Sequence, residues 1–137
     1  MMDEDMTQFV THGASQITPR ELEEVVRAIP TLRAEWTAQV DHQAFPNLAE
    51  QLDFLARLVE DFEAGLEKDI PFEAVSEAAF ALVYFHREID IIPDFIPGIG
   101  YADDAAVVET VLERHDEVFA HYAEEKRIDL PPEGDSK

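Results

Sequence analysis

Residues 89–104, IDIIPDFIPGIGYADD, constrain this chain more than any other stretch. They hold Pro93 and Pro97, Gly98 and Gly100, five isoleucines and four aspartates. A proline biases the residue before it away from helical geometry, so Ile92 and Ile96 are poorly suited to a helix. The two glycines admit positive φ just before the next apolar pattern begins. The chain must therefore leave one helix, make a tight excursion and enter another. Ile89, Ile91, Ile92, Phe95, Ile96 and Ile99 are too apolar for a solvent loop. The segment reads as a rigid connector that plugs one end of a helical core.

Both flanks carry helical spacing. Thr18, Pro19 and Glu21 form a strong helix start, with a capping hydroxyl, a proline in the first turn and a glutamate three residues after the cap. Leu22, Val25, Val26 and Ile29 then share a face. Pro30 lacks an amide donor and is expected to end or kink this helix. Leu32, Trp36 and Val40 continue the pattern, as a short second helix or as a continuation past the kink. Asn47 and Glu50 suggest another cap. Leu48, Leu52, Leu55, Val59, Phe62 and Leu66 follow as a narrow stripe, at about 100° per residue. Gly65 can supply a left-handed cap. Asp69 and Pro71 open the next helix, with Phe72, Val75, Ala79, Val83 and His86 on one face. After the connector, Ala105, Val108, Val111, Leu112, Phe119 and Tyr122 make the inward stripe of one long final helix ending near Arg127. The expected fold is all-α: a small bundle of four to five helices with the apolar Pro/Gly connector before the last one. Residues 1–17 read as a flexible acidic leader, 18–128 as a single helical domain and 129–137 as a flexible tail.

Composition narrows the function. The chain has 31 acidic and 10 basic residues, a formal net charge of −21, and 46% hydrophobic residues in 137. One domain of this size can bury a real core. Such acidity repels nucleic-acid backbones and anionic headgroups, so no direct nucleic-acid role is expected. The acids are spread along the chain, which suits a solvated surface, although attraction of a basic partner and mimicry of nucleic acid remain open. Without cysteine there is no disulfide, thiolate nucleophile or cysteine-bound zinc. The longest apolar run, 78–85, is far short of the ~20 residues that span a bilayer. No signal peptide is visible, and a cytoplasmic location is the default.

The run from Ile89 through Asp94, Pro97, Gly98 and the Asp103–Asp104 pair resembles the signature of the YkvA family, a bacterial and archaeal domain family of unknown function. Members typically show a repeated hydrophobic-Ile-Pro pattern around Asp, then Gly, then a double Asp opening an apolar helix. The resemblance covers about residues 78–111. It implies a helical fold and brings no agreed activity with it. Where the family has a proline before the Ile-Asp pair, this chain has Glu88, which extends the preceding helix by about a turn.

Two accounts of Asp90, Asp94, Asp103 and Asp104 stand side by side. Aspartates at turns and helix starts satisfy unpaired backbone amides and complement the helix dipole. Alternatively, Asp90, Asp94 and Asp104 with His86 form a site for a divalent cation such as Mg²⁺, Mn²⁺ or Ca²⁺, which favours clustered oxygen ligands. His86 and Asp90 are four residues apart, so they can meet on one helix. The spacing matches neither an EF-hand nor the Glu-x-x-His pairs of di-iron bundles. His115 falls in an apolar stripe and is expected to be a core histidine with one hydrogen bond; His121 lies toward solvent. No nucleophile elbow, phosphate loop or dinucleotide fingerprint occurs. The preferred reading is a non-enzymatic module acting through a protein partner or as a homo-oligomer. The alternatives are a divalent-metal site or metal-dependent enzyme, and an acidic decoy of a nucleic-acid-binding protein.

Overall fold

The computed structural model describes residues 2–40, 43, 45–67, 69–90 and 100–131, with side chains for 6–40, 43, 45–67, 69–85 and 105–131. It contains α1 (Met2–Ala14), α2 (Pro19–Gln39), α3 (Leu48–Glu63), α4 (Phe72–Asp90), α5 (Gly100–Arg114) and α6 (Asp116–Lys126). Among the described residues there is no strand. Among the described residues the all-α expectation holds, with six helices where the sequence reading expected four or five. The connector 91–99 lies outside the described residues.

The local signals act as their chemistry dictates. The Thr18 hydroxyl accepts from the Glu21 amide at 3.1 Å, and the Glu21 carboxylate accepts from the Thr18 amide at 3.3 Å. This reciprocal capping box starts α2. Gly65 takes φ 80 after α3. There the Leu66 amide donates to Asp61 O at 2.9 Å and the Gly65 amide to Phe62 O at 3.1 Å, the paired bonds of a Schellman ending. α6 ends similarly, but the left-handed position is Arg127, at φ 58.

Several expectations are corrected. Part of the stretch read as a flexible leader forms α1, whose Val10 and Ala14 are buried against the core. Neither a cap nor a long apolar run announces α1; packing against α4 and α5 supplies its stability. Of the two outcomes expected at Pro30, continuation past it is the one found, because Leu22, Val25, Ile29, Leu32 and Trp36 stay buried along one continuous face. Asn47 makes no side-chain cap on α3. Leu66 leaves the α3 stripe and is 65% exposed, because the chain turns at Gly65 before reaching it. The expected final helix is interrupted at His115, which has φ −126 and ψ 33. Its inward stripe nonetheless survives: Ala105, Val108, Val111, Leu112, Phe119 and Tyr122 are all buried.

α4 is the centre of the packing. It contacts α1, α2, α3 and α5, and every residue from Ala74 to Leu82 is buried. Ala74, Ala78, Ala79 and Ala81 leave room for neighbouring helices to approach. Around this axis Trp36 meets Phe85 edge to face at 6.3 Å between ring centres, and Phe54 meets Phe119 at 5.8 Å and Tyr122 at 5.7 Å. Trp36 Nε1 donates to Asp53 Oδ1 at 2.8 Å, which satisfies the buried indole and ties α2 to α3.

Gly13 sets the approach of α1 to α4: a Cβ there would overlap the ring of Phe80. Gly13→Ala is therefore expected to lower stability. Overpacking costs about 1–3 kcal/mol and outweighs the roughly 1 kcal/mol gain in helix propensity. Thermal unfolding checks this, and a more stable variant would mean that α1 is not seated on Phe80.

Candidate functional site

Glu77 is the most unusual side chain in the described core. It lies in the middle of α4 and is 0% exposed. An isolated buried carboxylate is costly, so partners must come from elsewhere in the fold. They come from the α5–α6 junction. Arg114 Nε donates to Glu77 Oε1 at 3.0 Å and Arg114 Nη2 to Oε2 at 2.9 Å, a bidentate pair. His115 Nε2 lies 3.0 Å from Oε1. Arg114 Nη2 also reaches Glu73 Oε2, one turn earlier on α4, at 3.3 Å. Burial pushes the Glu77 carboxyl up, but the hydrogen bonds from His115 and Arg114 outweigh it and hold the group below its ordinary value. The Arg114 guanidinium is raised, chiefly by its hydrogen bonds to Glu77.

His115 thus behaves as the sequence suggested, with an 11% exposed side chain and a hydrogen bond into the core. Sequence reasoning missed Glu77. One signal could have found it: Glu77 lies three residues after Ala74 and four before Ala81, on an apolar face where a lone carboxylate requires a cation.

The residues of the expected divalent-metal site are His86, Asp90, Asp94 and Asp104. α4 reaches both His86 and Asp90, and Asp104 is the fifth residue of α5, but their side chains lie outside the described residues. Asp94 lies wholly outside them. Among the described residues no group of three His, Asp or Glu side chains could hold a metal ion. Among them, too, no helix is long and apolar enough to cross a membrane.

A second place of interest is a cleft of about 240 Å³ between the 66–71 loop and α6. Ile70, Val118 and Tyr122 give it apolar walls, and Glu67, Asp69 and Glu117 give it carboxylates. Glu67 is only 7% exposed and pairs with Lys126 Nζ at 3.5 Å. Tyr122 donates to Asp61 Oδ2 at 2.6 Å, tying α6 to α3. Burial and that hydrogen bond raise the phenol well above its ordinary value, so it stays neutral. His121, also on the lining, is 62% exposed and lies 3.0 Å from Glu125 Oε2.

Residues 74–109 match the family model described as "Protein of unknown function (DUF1232)", the family with which YkvA is associated. The matched segment starts in α4, crosses the connector and ends in α5. It contains Glu77 but neither Arg114 nor His115, so the bridge joins the matched segment to the rest of the chain. No curated protein and no solved structure matches the chain.

Removing one partner of a buried pair leaves an uncompensated charge. Arg114→Met is therefore expected to cost about 3 kcal/mol, while the Glu77→Met/Arg114→Met double variant recovers much of that loss. Chemical denaturation of the two variants decides it; a single variant as stable as wild type would mean that Glu77 does not depend on Arg114. The pH dependence follows from the depressed carboxyl. Its contribution is fully present above the ordinary glutamate value of 4.5 and is lost as pH falls through the lower folded value. Relative to wild type, Glu77→Gln should show a flatter fall in stability on acidification below 4.5. Parallel curves for the two proteins would contradict this.

Proposed function

We propose that this chain is a non-enzymatic helical module that acts in the cytoplasm through contact with a protein partner. The observation that supports the reading most is where its ionisable chemistry is spent. Glu77, Arg114 and His115 are turned inward to hold α4 to the α5–α6 junction, and Glu67 is held by Lys126. Groups so committed serve the fold. What a partner meets is an acidic exterior with apolar side chains standing out of it, including Phe9 at 45% and Leu66 at 65% exposure. A surface of that kind suits association more than the enclosed, water-excluding chemistry of an active site.

In this reading the carboxylates of Asp90, Asp94 and Asp104 serve the backbone near them and not a metal ion. The test is thermal unfolding against Mg²⁺, Mn²⁺, Ca²⁺ and Zn²⁺ in high potassium chloride, where diffuse attraction to the acidic surface is screened. The expected result is no saturable stabilisation, with Asp94→Ala less stable by about 1 kcal/mol, as for a lost cap, and Asp94→Asn close to wild type because asparagine caps as well as aspartate. A saturable rise in stability with one metal, abolished in both variants, would overturn the module reading in favour of a metal site.

A further inference from the structure

We propose that the cleft between the 66–71 loop and α6 is the docking site for a basic side chain of a protein partner. An arginine or lysine would lay its stem on Ile70, Val118 and Tyr122 and place its charge beside Asp69 and Glu117. This inference rests on the interaction-module reading and gives it a location and a ligand chemistry.

Size supports a single side chain. At about 240 Å³ the cleft is smaller than the roughly 300–1,000 Å³ of small-molecule sites. Wall chemistry supports a long basic residue in particular, because arginine and lysine bury an apolar stem while presenting a charged head. Ile70 and Tyr122 are 5% and 1% exposed, so they form a firm floor rather than mobile surface groups. The chain already places an ammonium at this edge, since Lys126 Nζ lies 3.5 Å from Glu67 Oε2. Among the described residues, that cation answers one of the three lining carboxylates. Among the described residues no lysine or arginine forms an ion pair with Asp69 or Glu117.

Charge then selects the partner. At a net charge of −21, a second copy of this chain and a nucleic acid are both repelled at long range, whereas a basic protein segment is attracted and oriented. Apolar contacts for its neighbouring residues are available nearby: Leu66 and Phe72, 65% and 39% exposed, bracket the 67–71 stretch.

The experiment is an amide-shift titration of the full chain with a short peptide carrying one central arginine between leucines. The same peptide with glutamate in place of arginine is the control. Saturable shifts are expected at Ile70, Val118 and Tyr122 with the arginine peptide alone. Asp69→Lys/Glu117→Lys alters two exposed positions and should weaken binding about tenfold or more. Glu23→Lys/Glu24→Lys makes the same change in net charge on α2 and should weaken it far less. Equal weakening by both doubles would mean general attraction to an acidic surface and would overturn the cleft. Saturable shifts centred elsewhere would overturn the cleft while leaving the module reading in place. No saturable shift up to about 1 mM peptide would also overturn it.

Discussion

A carboxylate buried at the centre of the most enclosed helix sets the terms for the rest of the fold. Glu77 on α4 is shielded from water, and its charge is tolerable only because Arg114 grips both oxygens and His115 bonds one of them. A charge in that position without partners would cost several kcal/mol. The α5–α6 junction must therefore sit over the middle of α4. Once it does, Phe119 and Tyr122 are brought onto Phe54, and the α3 edge is closed. Apolar packing supplies most of the driving force here, as in any small domain. The bridge restricts which packing is acceptable, because a shifted register would strand the carboxylate.

The same junction explains why the last apolar stripe is carried by two helices. The stripe continues without a break in periodicity from Ala105 to Tyr122, and neither glycine nor proline marks an interruption. The interruption falls at His115, beside Arg114, at the two residues that hold Glu77. Bonds from His115 N to Val111 O at 3.3 Å and from Phe119 N to His115 O at 2.9 Å persist across it. The helix yields locally so that two consecutive side chains can both reach one carboxylate.

Placement of charge also separates the two regions of functional interest. At the Glu77 bridge, a buried carboxylate is paired with a partly exposed arginine, and the pair holds elements together. At the cleft beside α6, acids line an open surface with a hydrophobic floor. Low dielectric makes the first arrangement strong and internal. Solvent access makes the second available to a partner. The acidity of the chain as a whole, read from composition as a solvated exterior, gains a direction at the cleft, where it adjoins apolar walls.

Much of the helical content was legible in the residues. Thr18 and Glu21 announced the start of α2, Gly65 the end of α3, and the spacing of Leu48, Leu52, Leu55 and Val59 the buried face between them. These signals act within one or two turns, so neighbouring residues suffice to determine them. α1 was not legible, because its place depends on Gly13 lying against Phe80 in another helix. The residues left open whether α2 ends or continues at Pro30, where a buried face outweighs the missing amide. The cleft was equally hidden, since its walls come from Glu67, Asp69 and Ile70 on one side and Glu117, Val118, His121 and Tyr122 on the other, and only folding brings them together. By itself the sequence determined an all-helical acidic chain, its main caps and its core stripes, because periodicity and capping are local properties. Only the tertiary structure decided that Glu77 would find Arg114 and His115, because a buried charge takes its partners from whatever the packing places beside it.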